Sequence, residues 1–385
     1  MILGALVALG PLSTDAYVPG LPQLADDLHC SPSMAQLSIT SCLFGLAVGQ
    51  LLAGPLSDAV GRRRPLIFGL IVYTVSGLLC AAAPNIATLV VLRGVQGVGG
   101  AFALVIAYAS VRDRHTGKAA ARYFSALLLV TGLAPILAPL AGARILEASG
   151  WRGIFLALAV LSGAVLIASV GALPESLAPQ LRRPGGLRAT GAVYRRLLTD
   201  RQLVGHAVIN ALVFATMFAY ISGSPFVLQD LHGLSPGRYS LVFAVNACGL
   251  VLAAQASGRL VRTVDARLLL GIGVAGAAVG STSLLAFSAT AAGLWPLLAA
   301  FFTVVTSVGL VLPNAAALAL EKHGSDAGAA AALLGCGQFL FGGLAAPLVG
   351  FHGSHSAMPT AVVMAVLAVA ALITLLTLAR PAAYR

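Results

Sequence analysis

Two charged residues interrupt long apolar runs of the sequence. Arg93 lies in LVVLRGVQGVGGA, Leu89 to Ala101. A guanidinium inside an apolar span costs several kcal/mol and marks a functional position unless the side chain snorkels to the interface. Arg93 is eight residues past Asn85, about 12 Å along a helix, which is deep for snorkelling alone. Asp15 lies in PLSTDAYVPGLPQLADDL, Pro11 to Leu28, seven residues before Pro22 and about 10 Å below the outer end of its run. A carboxylate that can take up and give back a proton, at the level of a fixed cation, is the chemistry of proton coupling. A helix cap or a purely structural Asp–Arg pair is the other reading. Asp26 and Asp27 read as solvated loop acids beyond the span.

Two further strings carry chemistry or geometry. GPLSDAVGRRRP, Gly54 to Pro65, reads as a helix end at Gly54, an acid at Asp58, a tight turn at Gly61 and three arginines, Arg62, Arg63 and Arg64. Composition alone suits a positively charged topogenic turn and a working charge cluster equally. TGLAPILAPLAG sets Gly132, Pro135, Pro139 and Gly142 at helical spacings of three and four. They form a small-residue face that lets another helix approach closely and lets its own helix bend; ordinary packing explains it equally well. Tyr17, Gln96, Phe214, Phe218, Tyr220, Asn246, Gln338 and Phe339 suit either a cavity wall or helix packing. His206, His352 and His355 read as interfacial residues rather than metal ligands. None of the cysteines at 30, 42, 80, 248 and 336 forms a CxxC pair, so they read as small hydrophobes. Neither a metal nor a cofactor is expected.

The elements that position these residues follow from composition. Of 385 residues 59% are hydrophobic and 9% charged, with a mean hydropathy of +0.95. So few charges cannot cover a water-soluble fold of this size, so lipid is its solvent, and disorder is excluded. Apolar runs fall near 1–22, 36–56, 66–83, 86–110, 123–146 and 152–172, then near 203–223, 239–259, 267–289, 294–318, 327–350 and 357–379. The opening run has no basic flank and no cleavage site, so it reads as a retained span; its abrupt start leaves room for residues upstream.

The fold class is therefore all-α and membrane-integral, with twelve spans. The expected domains are a six-helix bundle over 1–173, a cytoplasmic linker over 174–202, and a second bundle with a short cytoplasmic tail over 203–385. With the N-terminus inside, 19 of the 23 Lys and Arg fall on the cytoplasmic side, Arg144, Arg152 and Arg238 fall outside, and Arg93 is left within a span. The net charge of +11 thus reflects topology rather than nucleic-acid binding. APLAG at Ala138–Gly142 recurs as APLVG at Ala346–Gly350, and Gly54-Pro-Leu has a counterpart in Gly258-Arg-Leu closing the eighth span. Near-equal offsets suggest two parallel halves.

The string Gly54 to Arg63 resembles the G-x-L-x-D-x-x-G-R-[RK] loop of the major facilitator superfamily. That resemblance implies an inter-helix charge relay, with Gly54, Asp58, Gly61, Arg62 and Arg63 gating the inward opening. Arg93 and Gly97 match the R-x-x-x-G motif of the superfamily's fourth span, whose arginine is tied to proton coupling. Gly132, Pro135, Pro139 and Gly142 resemble the motif that marks antiporters, with Ala134-Pro135 where Gly-Pro is usual. S-T-D-x-Y-x-P-x-L-P from Ser13, GWRGIF from Gly150 to Phe155 and LSPGRYSLVFAVNA from Leu234 together resemble the bicyclomycin/chloramphenicol-resistance (Bcr/CflA) drug exporters, over essentially the whole chain.

The resemblance implies a proton-coupled multidrug exporter of the inner membrane, a multi-pass monomer with both termini cytoplasmic, working by alternating access. Its partners are small-molecule drugs, protons and the lipid bilayer, not nucleic acid. Asp15 and Arg93 are the proton-coupling residues; Tyr17, Gln96, Tyr220, Asn246, Gln338 and Phe339 are the substrate-contact candidates. A proton-coupled metabolite transporter on the same scaffold is the rival reading, since fold does not fix cargo. An enzyme is not expected: HExxH, GxSxG and the ATP-binding G-x-x-x-x-G-K-[ST] are absent from the sequence. A receptor or channel lacks its sensor domain or repeated filter.

Overall fold

In the computed structural model, residues 2–379 are described, apart from 116, 183–185, 291, 324–326 and 351–355; for 118, 121, 186–190 and 327 only the backbone is. His352, His355, Arg380 and Arg385, and the side chains of Lys118, Arg183 and Arg188, lie outside the described residues. In chain order the helices are α1 (Ile2–Asp15), α2 (Leu21–Asp27), α3 (Pro32–Val60), α4 (Arg63–Ala81), α5 (Ile86–Arg114), α6 (Gly117–Ala172), α7 (Gly186–Leu197), α8 (Arg201–Pro225), α9 (Pro236–Leu260), α10 (Ala266–Ala289), α11 (Leu294–Leu320), α12 (Ala327–Ala345) and α13 (Met358–Thr377). There is no strand among the described residues.

Short polar residues start many of these helices. The Asn85 side chain accepts from the Thr88 amide at 2.9 Å and opens α5. Asp200 accepts from the amides of Gln202 and Leu203 and opens α8. Ser235 and Asp265 do the same for α9 and α10. Between the caps the helices are apolar around much of their circumference. Phe68, Val91, Leu128, Ile167 and Leu252 stay exposed, as a lipid-facing surface requires.

Among the described residues, eleven stretches are long and apolar enough to cross a membrane. One of them, Arg122–Ala172, lies in α6, whose 56 residues would run about 84 Å if straight, against a hydrocarbon core of about 30 Å. Gly150 resolves the excess. Its φ of 69° and ψ of −178° fold α6 into two arms in a conformation that only glycine adopts readily. The chain therefore makes twelve crossings.

The first span departs from the expected single run over 1–22. α1 ends at Asp15, a 3₁₀ turn covers Val18–Gly20, and α2 carries on to Asp27. Pro19 and Pro22 have no amide to continue the hydrogen-bond ladder, so the helix breaks just after the carboxylate. Asp26 and Asp27 are accordingly helical, not loop, residues. Gly54 is also not a helix end: α3 runs through Gly54 and Pro55 to Val60, and the chain turns at Gly61, whose φ is 97°. The paired strings differ locally as well. Ala138–Gly142 is α-helical inside α6, whereas Ala346–Gly350 is a 3₁₀ turn after α12. Gly258 stands two residues before the end of α9.

Contacts divide the chain into two units, Met1–Cys30 with Leu37–Thr190 and Ser31–Gln36 with Gly191–Arg385. Leu6, Leu9, Leu70, Tyr73, Phe102 and Ile106 form the core of the first. Ile209, Val213, Val274, Val308 and Val311 form that of the second. Six crossings fall in each. Within the second unit α7 packs Val193 and Leu197 against Leu203, Leu320, Ala330 and Leu333. His206, expected at the interface, is buried in the second turn of α8, its Nδ1 2.8 Å from the Gln202 carbonyl oxygen.

Candidate functional site

Arg93 is completely buried in α5. Its Nη2 donates to the Ser13 carbonyl at 2.8 Å. That carbonyl is free because the last turn of a helix leaves its C=O groups unclaimed, and α1 ends at Asp15. Its Nη1 donates to Gln96 Oε1, one turn along α5, at 2.6 Å. The Tyr17 ring covers the guanidinium carbon at 4.6 Å, and the Phe155 ring lies 5.4 Å from it. The Tyr17 hydroxyl is 3.1 Å from Ser38 Oγ. Among the described residues, Arg93 Nε and Gln96 Nε2 have no hydrogen-bond partner.

Asp15 is buried too, with Oδ1 accepting from the Thr14 hydroxyl at 3.0 Å. Arg93 therefore meets the backbone two residues before Asp15 and the ring two residues after it. Among the described residues the two are not an ion pair; Arg93 takes neutral acceptors instead. A buried cation without a counter-charge is costly, and rings, carbonyl and amide offset only part of that cost.

Two small-residue contacts bring the backbones together. A Cβ at Gly97 would run into the Cys42 carbonyl of α3, and one at Gly142 into the Ala16 carbonyl, at the break itself. Pro139 is buried on the same face of α6, whereas Gly132 and Pro135 are half-buried. The small-residue helix thus packs on the segment that carries the carboxylate.

The basic turn forms a second cluster in the same unit. Arg62 is its hub. Its Nη1 lies 2.5 Å from Asp58 Oδ1 and 2.7 Å from Ser57 Oγ, and its Nε donates to Asp113 Oδ2 at 2.8 Å. Ser176 Oγ is 3.1 Å from the same Asp113 oxygen. Glu175 spans the start of α4, accepting from the Arg62 amide at 2.8 Å and the Arg63 amide at 3.2 Å. Arg63 donates to the carbonyls of Val170 and Leu173, and Arg114 to that of Pro174.

The charges tune one another here. Burial works against the charge of Arg62, but the hydrogen bonds and proximity of Asp113 and Asp58 outweigh it and hold the guanidinium above its usual value. Partial burial would raise Glu175, yet the amides of Leu177, Arg62, Arg63 and Ser176 hold its carboxyl below the ordinary range. Asp113 and Glu175 did not stand out in the sequence. Their only signals are an acid between two arginines in VRDR and an acid directly after an apolar run in PES.

The other substrate-contact candidates lie in the second unit. Asn246 Nδ2 donates to the Tyr220 hydroxyl at 2.8 Å, and Phe243 and Phe301 flank the Tyr220 ring. Phe339 stands edge-on to Phe214 at 5.6 Å, and Gln338 beside it is half-buried. Among the described residues no group of three or more His, Cys, Asp and Glu is placed to hold a metal.

The family pattern described as Major Facilitator Superfamily matches residues 3–347. The chain belongs to the major facilitator superfamily. This facilitator is 37% identical over 365 residues to YdgK, an uncharacterized MFS-type transporter of Bacillus subtilis (strain 168), covering 94% of this chain and 90% of that one. It is 28% identical over 366 residues to a bicyclomycin resistance protein homolog of Haemophilus influenzae, covering 94% and 92%. It is 30% identical over 243 residues to the multidrug resistance protein MdtL of Vibrio parahaemolyticus, covering 63% and 61%. These relatives bear out the resemblance to resistance-type exporters. Among solved structures, a D-xylose–proton symporter superposes with a TM-score of 0.78 at 19% identity, covering 98% of this chain and 97% of that one. That likeness concerns the fold, which is the superfamily's twelve-helix fold. The facilitator is a membrane transporter of small molecules and not an enzyme.

Proposed function

We propose that this facilitator exports drugs from the bacterial cytoplasm across the inner membrane in exchange for protons. The observation that carries the reading is the Arg93 site, a buried guanidinium without a counter-charge among the described residues, bonded to the Ser13 carbonyl of the helix end that carries the buried Asp15. In this reading Asp15 carries the proton and Arg93 biases it. Protonated from the outside, Asp15 loses its attraction for a cationic drug and favours release. Deprotonated toward the cytoplasm, it favours loading. The Asp58–Arg62–Asp113 cluster with Glu175 serves as the gate element, and Gly142 and Pro139 let α6 move against the break. Resistance-type relatives support a drug as cargo; the alternation of access is the superfamily's usual working mode.

The energetics suffice. One proton carried across 100 mV is worth about 2.3 kcal/mol. At about 1.4 kcal/mol per tenfold, it sustains roughly a fifty-fold gradient of an uncharged drug; one-for-one exchange with a monovalent cationic drug moves no net charge and draws on the pH difference alone, about tenfold per pH unit. The test is drug susceptibility of cells with and without the expressed chain, repeated with a protonophore. Expression should raise the inhibitory concentration of at least one drug, and the protonophore should erase cellular drug exclusion. Exclusion that survives collapse of the gradient while ATP remains would overturn proton coupling.

A further inference from the structure

The GWRGIF motif, Gly150 to Phe155, serves neither the proton step nor the gate as derived above. It starts at the turn between the two arms of α6. Trp151 is 1% exposed, and its indole Nε1 donates to Asp27 Oδ2 at 3.0 Å. Asp27 is the exposed last residue of α2, on the far side of the break in the first span. A Cβ at Gly20 would lie 2.9 Å from Leu146 Cδ1 and 3.5 Å from Trp151 Cβ, so the two arms of α6, on either side of Gly150, both close directly on the 3₁₀ turn. Arg152 lies over the Trp151 ring at 4.2 Å and donates to the Ala83 carbonyl at 3.1 Å, which ties the cation that covers the indole to the chain just past the end of α4.

One turn along, Phe155 stands edge-on to Trp151 at 6.0 Å and 88°. Its ring is 5.3 Å from Tyr17 and 5.4 Å from the Arg93 guanidinium carbon. An unbroken run of contacts therefore leads from an exposed carboxylate to the buried cation, within one unit. Packing alone would be served by a plain hydrocarbon at position 151. A buried indole N–H needs an acceptor, and this one takes it from the segment that must stay in place for Tyr17 to cover Arg93.

We propose that Trp151 and Phe155 are positioning residues for Arg93, with Asp27 as their outer anchor. They hold the break of the first span so that Tyr17 stays on the guanidinium and the Ser13 carbonyl stays within reach. Their effect on transport rests on the proton-coupling reading; their hold on the break does not. The full chain is purified in detergent and in liposomes as the parent and as Trp151→Phe, Asp27→Ala, Asp27→Glu and Arg93→Lys. Amide hydrogen exchange is followed at residues 16, 17, 18 and 20, and ethidium efflux is followed against pH.

Trp151→Phe and Asp27→Ala should each lose about tenfold in protection at those amides, the scale of one lost charge-assisted hydrogen bond, with the rest of the exchange map unchanged. Both should displace the pH midpoint of efflux in the same direction as Arg93→Lys, and Asp27→Glu should restore both readouts. Parental protection in Trp151→Phe and Asp27→Ala overturns the proposal. So does lost protection with a parental pH profile when Arg93→Lys moves that profile, because the contacts are then only structural. If the parent does not move ethidium, drug export of this dye fails as a reading, and the exchange result alone decides for or against the hold on the break.

Discussion

At the scale of the residue, the first span places a titratable group where its charge has consequences. Asp15 is buried, its partner is the neutral Thr14 hydroxyl, and the Arg93 guanidinium is committed to Ser13 and Gln96. Asn is nearly the same shape as Asp and still accepts from Thr14. Asp15→Asn should therefore change unfolding stability by less than about 1 kcal/mol and yet abolish proton-coupled efflux. Arg93→Ala is a different lesion. It empties a packed cage between Tyr17 and Phe155 and leaves polar groups unpaired, so it should cost roughly 2–4 kcal/mol. Thermal unfolding in detergent, together with proton release on drug addition, separates the two. Normal transport by Asp15→Asn with parental proton release would remove Asp15 as the carrier.

At the scale of the element, α4 begins in the grip of a carboxylate from 112 residues away in sequence. Gly61 turns the chain with φ 97°, and a Cβ there would sit 2.5 Å from Glu175 Oε2, so the turn and the cap require each other. An anion at a helix start satisfies free amides and meets the positive end of the dipole. The folded state holds Glu175 below its ordinary value, so its contribution is complete above about pH 4.3, the unperturbed carboxyl value. It is lost as pH falls through the lowered folded value. Glu175→Gln should thus be less stable than the parent at pH 7 by about 1 kcal/mol, the size of a lost cap. The two should converge as pH falls through the lowered folded value of Glu175. A gap that is constant across this range would show that the charge of Glu175 does not matter.

At the scale of the whole molecule, the proposed topology has twelve crossings and both termini on the cytoplasmic side. The distribution of Lys and Arg motivates that orientation, with 19 of 23 in the even-numbered connections, the long 174–202 segment and the tail. A cysteine introduced near Asp26 should react with an impermeant thiol reagent added to intact cells. One introduced near Arg188 should react only after the membrane is opened. The reverse pattern would invert the orientation and, with it, the direction assigned to export.

The spans, their number and the basic turn were legible in the sequence because each depends on a local quantity. Twenty apolar residues must be a membrane helix, and an arginine within them is conspicuous by its cost alone. Gly54 reads as a helix end but is not one, because a glycine followed by proline is a local stop signal that neighbouring helices can override in a bundle. The break after Asp15 is written in Pro19 and Pro22 but is masked by the continuous hydropathy of the run. What only the tertiary structure decided is which side chains meet. Arg93 bonds to a carbonyl 80 residues away, Arg62 to Asp113 at a separation of 51, and Trp151 to Asp27 at 124. Such meetings depend on how each helix is rotated about its axis. In water an apolar stripe records that rotation; in lipid both faces are apolar, and the record is lost until the helices pack.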